Sequence, residues 1–173
     1  MTLSPEQLQP IKLLAFDYDG VFTDGEIIIT TEGHMLRSAN ARDGFAVQWA
    51  RKQNIDIALI SGGKEESVGT RMRYLGVEEV HMGSHNKMEV LNGICERMSL
   101  SMEEVAYMGD DLPDLPVLRN VGLSCCPSDA ATEVIEACDY VSPKGGGKGC
   151  VRDVVESYMK HHGLWLAPGH EQW

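Results

Sequence analysis

Ile11-Lys12-Leu13-Leu14-Ala15-Phe16-Asp17-Tyr18-Asp19-Gly20-Val21 is an apolar run that stops abruptly at two aspartates and a glycine. An apolar stretch of this length, ended by a charge, predicts a buried strand over residues 11–16. In extended backbone, residues i and i+2 point the same way, so Asp17 and Asp19 face one small volume just past the strand end. Two carboxylates held there repel each other, which implies a proton or a cation between them. A hard divalent cation with oxygen ligands fits, and magnesium suits phosphate chemistry. Taken alone, the same pair also reads as a loop of solvated aspartates.

Working outward, strand and helix signals alternate. Ile27 to Thr30 favour a strand, and Thr31-Glu32-Gly33 turns it into a hairpin over 26–30 and 34–38. A helix opens at Asp43-Gly44 and runs to about residue 53. Residues 55–60 form a second β-rich run, closed by Ser61-Gly62-Gly63. Residues 65–75 read as a helix with carboxylates in its first turn and arginines near its end, as the helix dipole prefers. Further strands are expected at 80–82, 105–108, 121–124 and 140–141. Further helices are expected at 87–98, 115–120, 130–137 and 150–160. Residues 2–10 read as a polar leader. This order predicts an α/β fold: a three-layer, doubly wound parallel sheet of Rossmann-like type, with helices on both faces and a β-hairpin insertion. Nothing divides the chain, so residues 1–173 read as a single domain, with 164–173 a C-terminal tail of no evident element.

Ligands of such sheets bind beyond the carboxyl ends of the strands. Gly109-Asp110-Asp111, followed by Asp114, stands after the strand at 105–108 as Asp17 and Asp19 stand after theirs. Adjacent parallel strands would bring Asp110 near Asp17, a placement that turn chemistry alone explains poorly. Ser61-Gly62-Gly63 lies between a strand and a helix, where small residues let backbone N–H groups approach an anion. An N-cap serine in a tight turn explains it equally well. Lys87 opens a helix, where a lysine is ordinarily a solvated charge.

The bulk properties bound the function. A net charge of −11 over 173 residues argues against nucleic acid and against an anionic membrane surface. An anionic substrate therefore needs local positive charge in the site. Five cysteines, with no CxxC pair, fit neither a disulfide framework nor a zinc centre and suit a reducing compartment, hence the cytoplasm.

The ordered set Asp17-x-Asp19-Gly20-Val21, Ser61-Gly62, Lys87 and Gly109-Asp110-Asp111-x-x-Asp114 resembles the four motifs of the haloacid dehalogenase superfamily. Within it, Asp19 to Gly25, Asn40 to Gly44, Gly109 to Asp114 and Gly145 to Arg152 are similar to the 3-deoxy-D-manno-octulosonate 8-phosphate phosphatase branch. The short spacings from Asp19 to Ser61 and from Ser61 to Lys87 leave no room for a cap domain.

The resemblance implies a magnesium-dependent phosphomonoesterase acting in lipopolysaccharide precursor synthesis. Asp17 would be the nucleophile and Asp19 the acid/base. Magnesium would be held by Asp17, Asp110 and the backbone carbonyl of Asp19. Ser61 and Lys87 would bind the phosphoryl oxygens, and Asp111 and Asp114 would orient the metal shell and Lys87. For the sugar acid it points to Asp19, Asn40, Ala41, Arg42, Asp43, Gly44, Gln48, Gly63, Arg71 and Lys87, with Arg42 and Arg71 as carboxylate partners. Gly63 departs from the larger residue often found there, which leaves the sugar preference open. The family resemblance further implies a homotetramer joined by its hairpins, with Ile27 to Ile29 at the interface. The tail at Leu164-Trp165-Leu166 either reaches a neighbouring site or is disordered. A nine-carbon substrate, 2-keto-3-deoxynonulosonate 9-phosphate, and a non-catalytic oligomerisation module of the same fold are the alternatives.

Overall fold

Leu13, Leu14, Ala15 and Phe16 are all buried, so the strand they form, β1 (Leu13–Phe16), has apolar packing on both faces. A strand covered on both faces belongs inside a parallel sheet. A computed structural model, which describes residues 2–171, places β1 there, in a six-stranded sheet.

In chain order the elements are α1 (Pro5–Leu8), β1, a hairpin of β2 (Ile28–Ile29) and β3 (Met35–Leu36), α2 (Ala41–Lys52), β4 (Asp56–Ile60), α3 (Glu66–Tyr74), β5 (Glu79–His81), α4 (Lys87–Met98), β6 (Val105–Met108), α5 (Leu115–Leu118), β7 (Leu123–Cys126), α6 (Thr132–Ala137), β8 (Tyr140–Val141) and α7 (Cys150–His161). The sheet order is β5-β4-β1-β6-β7-β8, all parallel. Alternate strand residues pack against two helical layers. Leu14, Phe16, Leu59 and Met108 meet Val47, Met72 and Val155 of α2, α3 and α7. Leu13, Ile60 and Tyr107 meet Leu91, Leu118 and Val134 of α4, α5 and α6. This is the three-layer fold expected.

The topology locates the crevice. The chain winds from β1 through β4 to β5, then returns to lay β6 on the other side of β1. The winding reverses between β1 and β6, and ligands bind at the carboxyl ends of the strands at such a reversal. The register aligns Phe16 with Met108 on one side and with Leu59 on the other. The residues that follow, Asp17, Gly109 and Ile60-Ser61, therefore leave the sheet along one edge.

Several boundaries differ from those expected, each for a local reason. α2 starts two residues earlier than the Asp43-Gly44 opening because the Asn40 side chain caps it, accepting a hydrogen bond from the Arg42 amide at 2.8 Å. β7 begins at Leu123 rather than 121. Gly122 instead donates its amide to Met102 O at 2.8 Å, and a Cβ there would overlap the Glu103 backbone. The hairpin pairs only Ile28 with Leu36 and Ile29 with Met35. The polar leader holds a one-turn helix, α1, whose capping box joins Ser4 and Gln7. In the described part of the tail, Trp165 packs on its own chain while Leu166 is exposed. Trp165 lies over α2, its carbonyl accepting from Trp49 Nε1 at 3.0 Å and its ring edge-on to Phe45. The Arg152 guanidinium sits 5.1 Å from the Trp165 ring. Gln172 and Trp173 lie outside the described residues.

Candidate active site

The loop after β1 is shaped by its glycine and threonine. Asp17 continues the sheet for one bond, its amide donating to Met108 O at 2.9 Å. The Tyr18 carbonyl then accepts from the amides of Val21, Phe22 and Thr23, closing a tight turn. Buried Thr23 fixes its ends, Oγ1 accepting from the amides of Gly20 and Gly25 at 3.1 Å each. Gly20 has φ +78°, and a Cβ there would overlap the Asp110 carboxylate. A side chain at position 20 is therefore excluded twice, by backbone strain and by the acid that must approach it.

Three carboxylates converge at this point. Oxygens of Asp17, Asp110 and Asp114 all lie within 4.8 Å of one another. Lys87, delivered by the first turn of α4, sits between two of them, with Nζ 2.9 Å from Asp17 Oδ2 and 2.7 Å from Asp114 Oδ1. Asp114 is committed elsewhere. Its Oδ1 also accepts from the buried Tyr107 hydroxyl at 2.6 Å, and its Oδ2 accepts from the amides of Asp110 and Asp111 at 3.1 and 3.4 Å. Asp111 caps the same turn, Oδ1 accepting from the Leu112 amide at 2.8 Å. Asp114 thus fixes Lys87 and the 109–111 loop, and of the three converging carboxylates leaves Asp17 and Asp110 the less committed.

The electrostatics match a cation site. Burial, then the Asp114 charge, push Asp17 up to about 6 despite Lys87. Burial, then the charges of Asp17 and Asp114, push Asp110 up to about 7. Burial opposes the charge of Lys87, but Asp17 and Asp114 outweigh it and raise its pKa above the ordinary lysine value. Two carboxylates pushed toward protonation by burial first and by neighbouring negative charge second are a donor set for a hard divalent ion, whose charge offsets both. The residues present therefore fit magnesium.

Ser61 is buried at the end of β4. Its amide donates to His81 O at 2.9 Å, and its Oγ accepts from the Gly63 amide at 3.2 Å. A cleft of about 460 Å³ opens here, lined by Asp17, Asp19, Ser61, Gly62, Gly63, Lys87, Asp110, Asp111 and Asp114, together with Gly20, Gly25, Ser84, His85 and Pro113. The four motif segments thus meet in one cavity.

The residues expected for the sugar acid divide. Asp19, Gly63 and Lys87 line the cleft; Asn40, Ala41, Arg42, Asp43, Gly44, Gln48 and Arg71 do not. Asn40 caps α2 with Oδ1 and donates from Nδ2 to Gly147 O at 2.9 Å, while Ala41 begins the helix. Buried Asp43 accepts from the Arg152 amide at 2.7 Å, and burial raises its pKa. Gly44 makes space for Arg71, since a Cβ at position 44 would lie 2.8 Å from Arg71 Nη2. Arg42 lines a separate cleft with Lys144, Lys148 and Arg152, and Gln48 borders a groove with Tyr74 and Gly76.

Two contributors escaped the sequence analysis. His85 lines the cleft beside Ser84, directly before the Asn86 that caps α4. Arg37 reaches back from the hairpin to bind the Asp19 carboxylate, Nε donating to Oδ1 at 2.7 Å. The Ser-His-Asn-Lys sequence placed His85 near Lys87 and offered a signal. A single arginine on an exposed hairpin offered none.

Comparison with known proteins agrees with this geometry. A family model described as haloacid dehalogenase-like hydrolase matches residues 73–151. The 3-deoxy-D-manno-octulosonate 8-phosphate phosphatase KdsC of Salmonella typhi is 39% identical over 153 residues, covering 88% of this chain and 81% of the relative. The same phosphatase of Escherichia coli strain K12 is 38% identical over the same span. Among solved structures, the phosphatase from Yersinia pestis superposes with a TM-score of 0.91 at 31% identity, covering 94% of this chain and 88% of that one. The Moraxella catarrhalis phosphatase, solved in complex with magnesium ion, phosphate ion and KDO, gives 0.87 at 32% identity, with 91% and 90% covered. With its aspartates, serine and lysine assembled at one sheet edge and this similarity along most of its length, the chain belongs to the 3-deoxy-D-manno-octulosonate 8-phosphate phosphatase family of haloacid dehalogenase-like hydrolases.

Proposed function

We propose that this chain hydrolyses 3-deoxy-D-manno-octulosonate 8-phosphate to the free sugar acid and phosphate, as a magnesium-dependent phosphatase of lipopolysaccharide precursor synthesis. The observation that carries this is the convergence of Asp17, Asp110 and the Lys87 ammonium at the winding reversal of the sheet. The ion would be held by Asp17, Asp110 and the backbone carbonyl of Asp19. When bound, it neutralises charge so that an anionic nucleophile can meet an anionic phosphate.

An oxygen of Asp17 attacks phosphorus, forming an aspartyl-phosphate as the bond from phosphorus to the sugar oxygen breaks. Asp19 gives its proton to the departing sugar oxygen. The Asp19 carboxylate then takes a proton from water as that water attacks phosphorus, which frees phosphate and restores Asp17. Lys87 and Ser61 bind phosphoryl oxygens and spread the charge that develops there. Lys87 also holds Asp17 against its tendency to protonate, at 2.9 Å.

The domain is read as capless, and its cleft as roofed by other copies of the chain. Ile28, Ile29 and Leu36 leave an apolar surface exposed on the hairpin, which supports a homotetramer joined there. Arg42 and Arg71 remain the proposed partners of the sugar carboxylate, although neither lines the cleft of the single chain. No helix among the described residues is long and apolar enough to cross a membrane, and the cytoplasm is the proposed compartment.

The test is a phosphate-release screen over eight- and nine-carbon sugar-acid phosphates with and without magnesium. Magnesium-dependent release that favours the eight-carbon ester is expected. Preference for the nine-carbon ester would reassign the substrate, and no release from any ester would overturn the catalytic reading.

A further inference from the structure

Arg37 stands one residue past β3, on a hairpin whose other side chains are mostly exposed, yet its own side chain is only 8% exposed. It turns inward. Nε donates to Asp19 Oδ1 at 2.7 Å, and Nη1 lies 3.2 Å from Glu65 Oε2 and donates to Met35 O at 3.3 Å. Arg37 does not line the cleft; Asp19 does. The guanidinium therefore touches the site through Asp19.

The two oxygens of Asp19 are thereby made different. Oδ1 is tied to Arg37. Oδ2 lies on the Gly63 side, 3.6 Å from where a Cβ of residue 63 would stand, and Gly63 lines the cleft. One oxygen is anchored, and the other lies beside a residue that lines the cleft. Gly63 also leaves room for the anchor, because the same Cβ would stand 3.1 Å from Glu65 Oε2. Glu65 immediately precedes α3, a rigid element, and its Oε2 also accepts from the Lys64 amide at 3.1 Å.

We propose that Arg37, braced by Glu65, is a positioning residue that holds Asp19 with one carboxylate oxygen aimed at the leaving-group oxygen. The proposal rests on the acid/base reading of Asp19. Charge-assisted hydrogen bonds of this kind are directional, and a misplacement of about 1 Å at a reacting group costs on the order of 10²-fold in rate. A carboxylate one-third exposed, as Asp19 is, would otherwise sample several rotamers.

The test exploits leaving-group chemistry. An alkyl phosphate such as the sugar phosphate needs its leaving oxygen protonated; p-nitrophenolate departs without a proton. Wild type, Arg37→Met, Arg37→Lys, Glu65→Gln and Asp19→Asn are compared by rapid quench with magnesium present. Arg37→Met is expected to slow alcohol release from the sugar phosphate by about tenfold to a hundredfold, with KM changed by less than about threefold. Its initial release of p-nitrophenol from p-nitrophenyl phosphate stays within about threefold of wild type, followed by slowed phosphate release, because water activation also needs Asp19. Arg37→Lys recovers part of the loss. Glu65→Gln, which keeps Arg37 but weakens its brace, gives a smaller loss of the same pattern and stands in if Arg37→Met fails to fold. Equal slowing of both first steps, or no slowing in either variant, overturns the proposal. If Asp19→Asn itself shows no leaving-group dependence, the acid/base reading fails instead.

Discussion

Asp17 is placed by sheet geometry rather than by its own contacts, so its chemistry can be removed with little structural cost. Asp17→Asn keeps the shape, relieves repulsion with Asp110 and Asp114, and keeps a partner for Lys87. We expect loss of phosphate release to background with an unchanged or higher melting temperature; turnover near wild type would remove Asp17 as nucleophile. Burial, together with that repulsion, makes a pH prediction. Asp17 and Asp110 have folded pKa values of about 6 and about 7, above the ordinary aspartate value. A raised carboxyl contributes stability below its unfolded pKa and loses it as pH rises through the folded value. The cation-free protein should therefore lose stability from these groups as pH rises through about 5 to about 8, while magnesium, which competes with those protons, stabilises more over the same span. Melting temperatures with and without magnesium across that range test this, and a magnesium shift independent of pH would contradict it. At this scale the aspartates, Ser61 and Lys87 were legible because strand ends and motif order place them. Arg37 was not: its partner Asp19 is eighteen positions away along the chain and the bond depends on how the hairpin folds back.

Elements were legible where a periodic apolar run decides them and less so where packing does. The β6 and α4 boundaries follow the sequence pattern, whereas β1 begins at Leu13 rather than Ile11, whose amide bonds back to Leu8 O, and β7 is displaced because Gly122 is claimed by the turn at Met102. The segment 145–147 shows the same kind of packing at the active site. The Gly147 amide donates to Val21 O at 2.9 Å, and a Cβ on Gly146 would overlap Gly20 O and lie 2.7 Å from Thr23 O. The loop between β8 and α7 thus packs backbone to backbone on the loop that carries Asp17 and Asp19. Gly146→Ala is expected to destabilise by roughly 1–3 kcal/mol, the usual cost of overpacking, and to lower turnover by shifting Gly20 against Asp110. Gly93→Ala is the control. Its Cβ would stand an ordinary 3.5 Å from Arg97 Nη1 inside α4, where alanine favours helix by up to about 1 kcal/mol. Denaturant melts and phosphate release on both variants measure the contrast. A neutral Gly146→Ala would mean that this loop does not constrain the site.

At the scale of the whole molecule, charge and apolar surface pull in opposite directions. A chain of net charge −11 repels its copies, while Ile28 and Ile29 stand 65% and 72% exposed on a hairpin paired through only four residues. A two-stranded hairpin of that length is not stable by itself in water, so something must hold it. Arg37 ties its base to Asp19, and the proposed tetramer covers its apolar face. Association against like charge must strengthen with ionic strength, because screening weakens repulsion but not apolar burial. Light scattering should therefore show a tetramer at about 0.15 M salt, with dissociation favoured near about 0.01 M, where the Debye length is roughly fourfold longer. Ile29→Asp with Leu36→Asp should give a monomer at either salt and lower turnover on the sugar phosphate, since each cleft would lose its roof. Wild type that is monomeric at both salts removes the tetramer. A monomeric double variant with undiminished turnover separates assembly from catalysis and leaves the cleft complete within one chain.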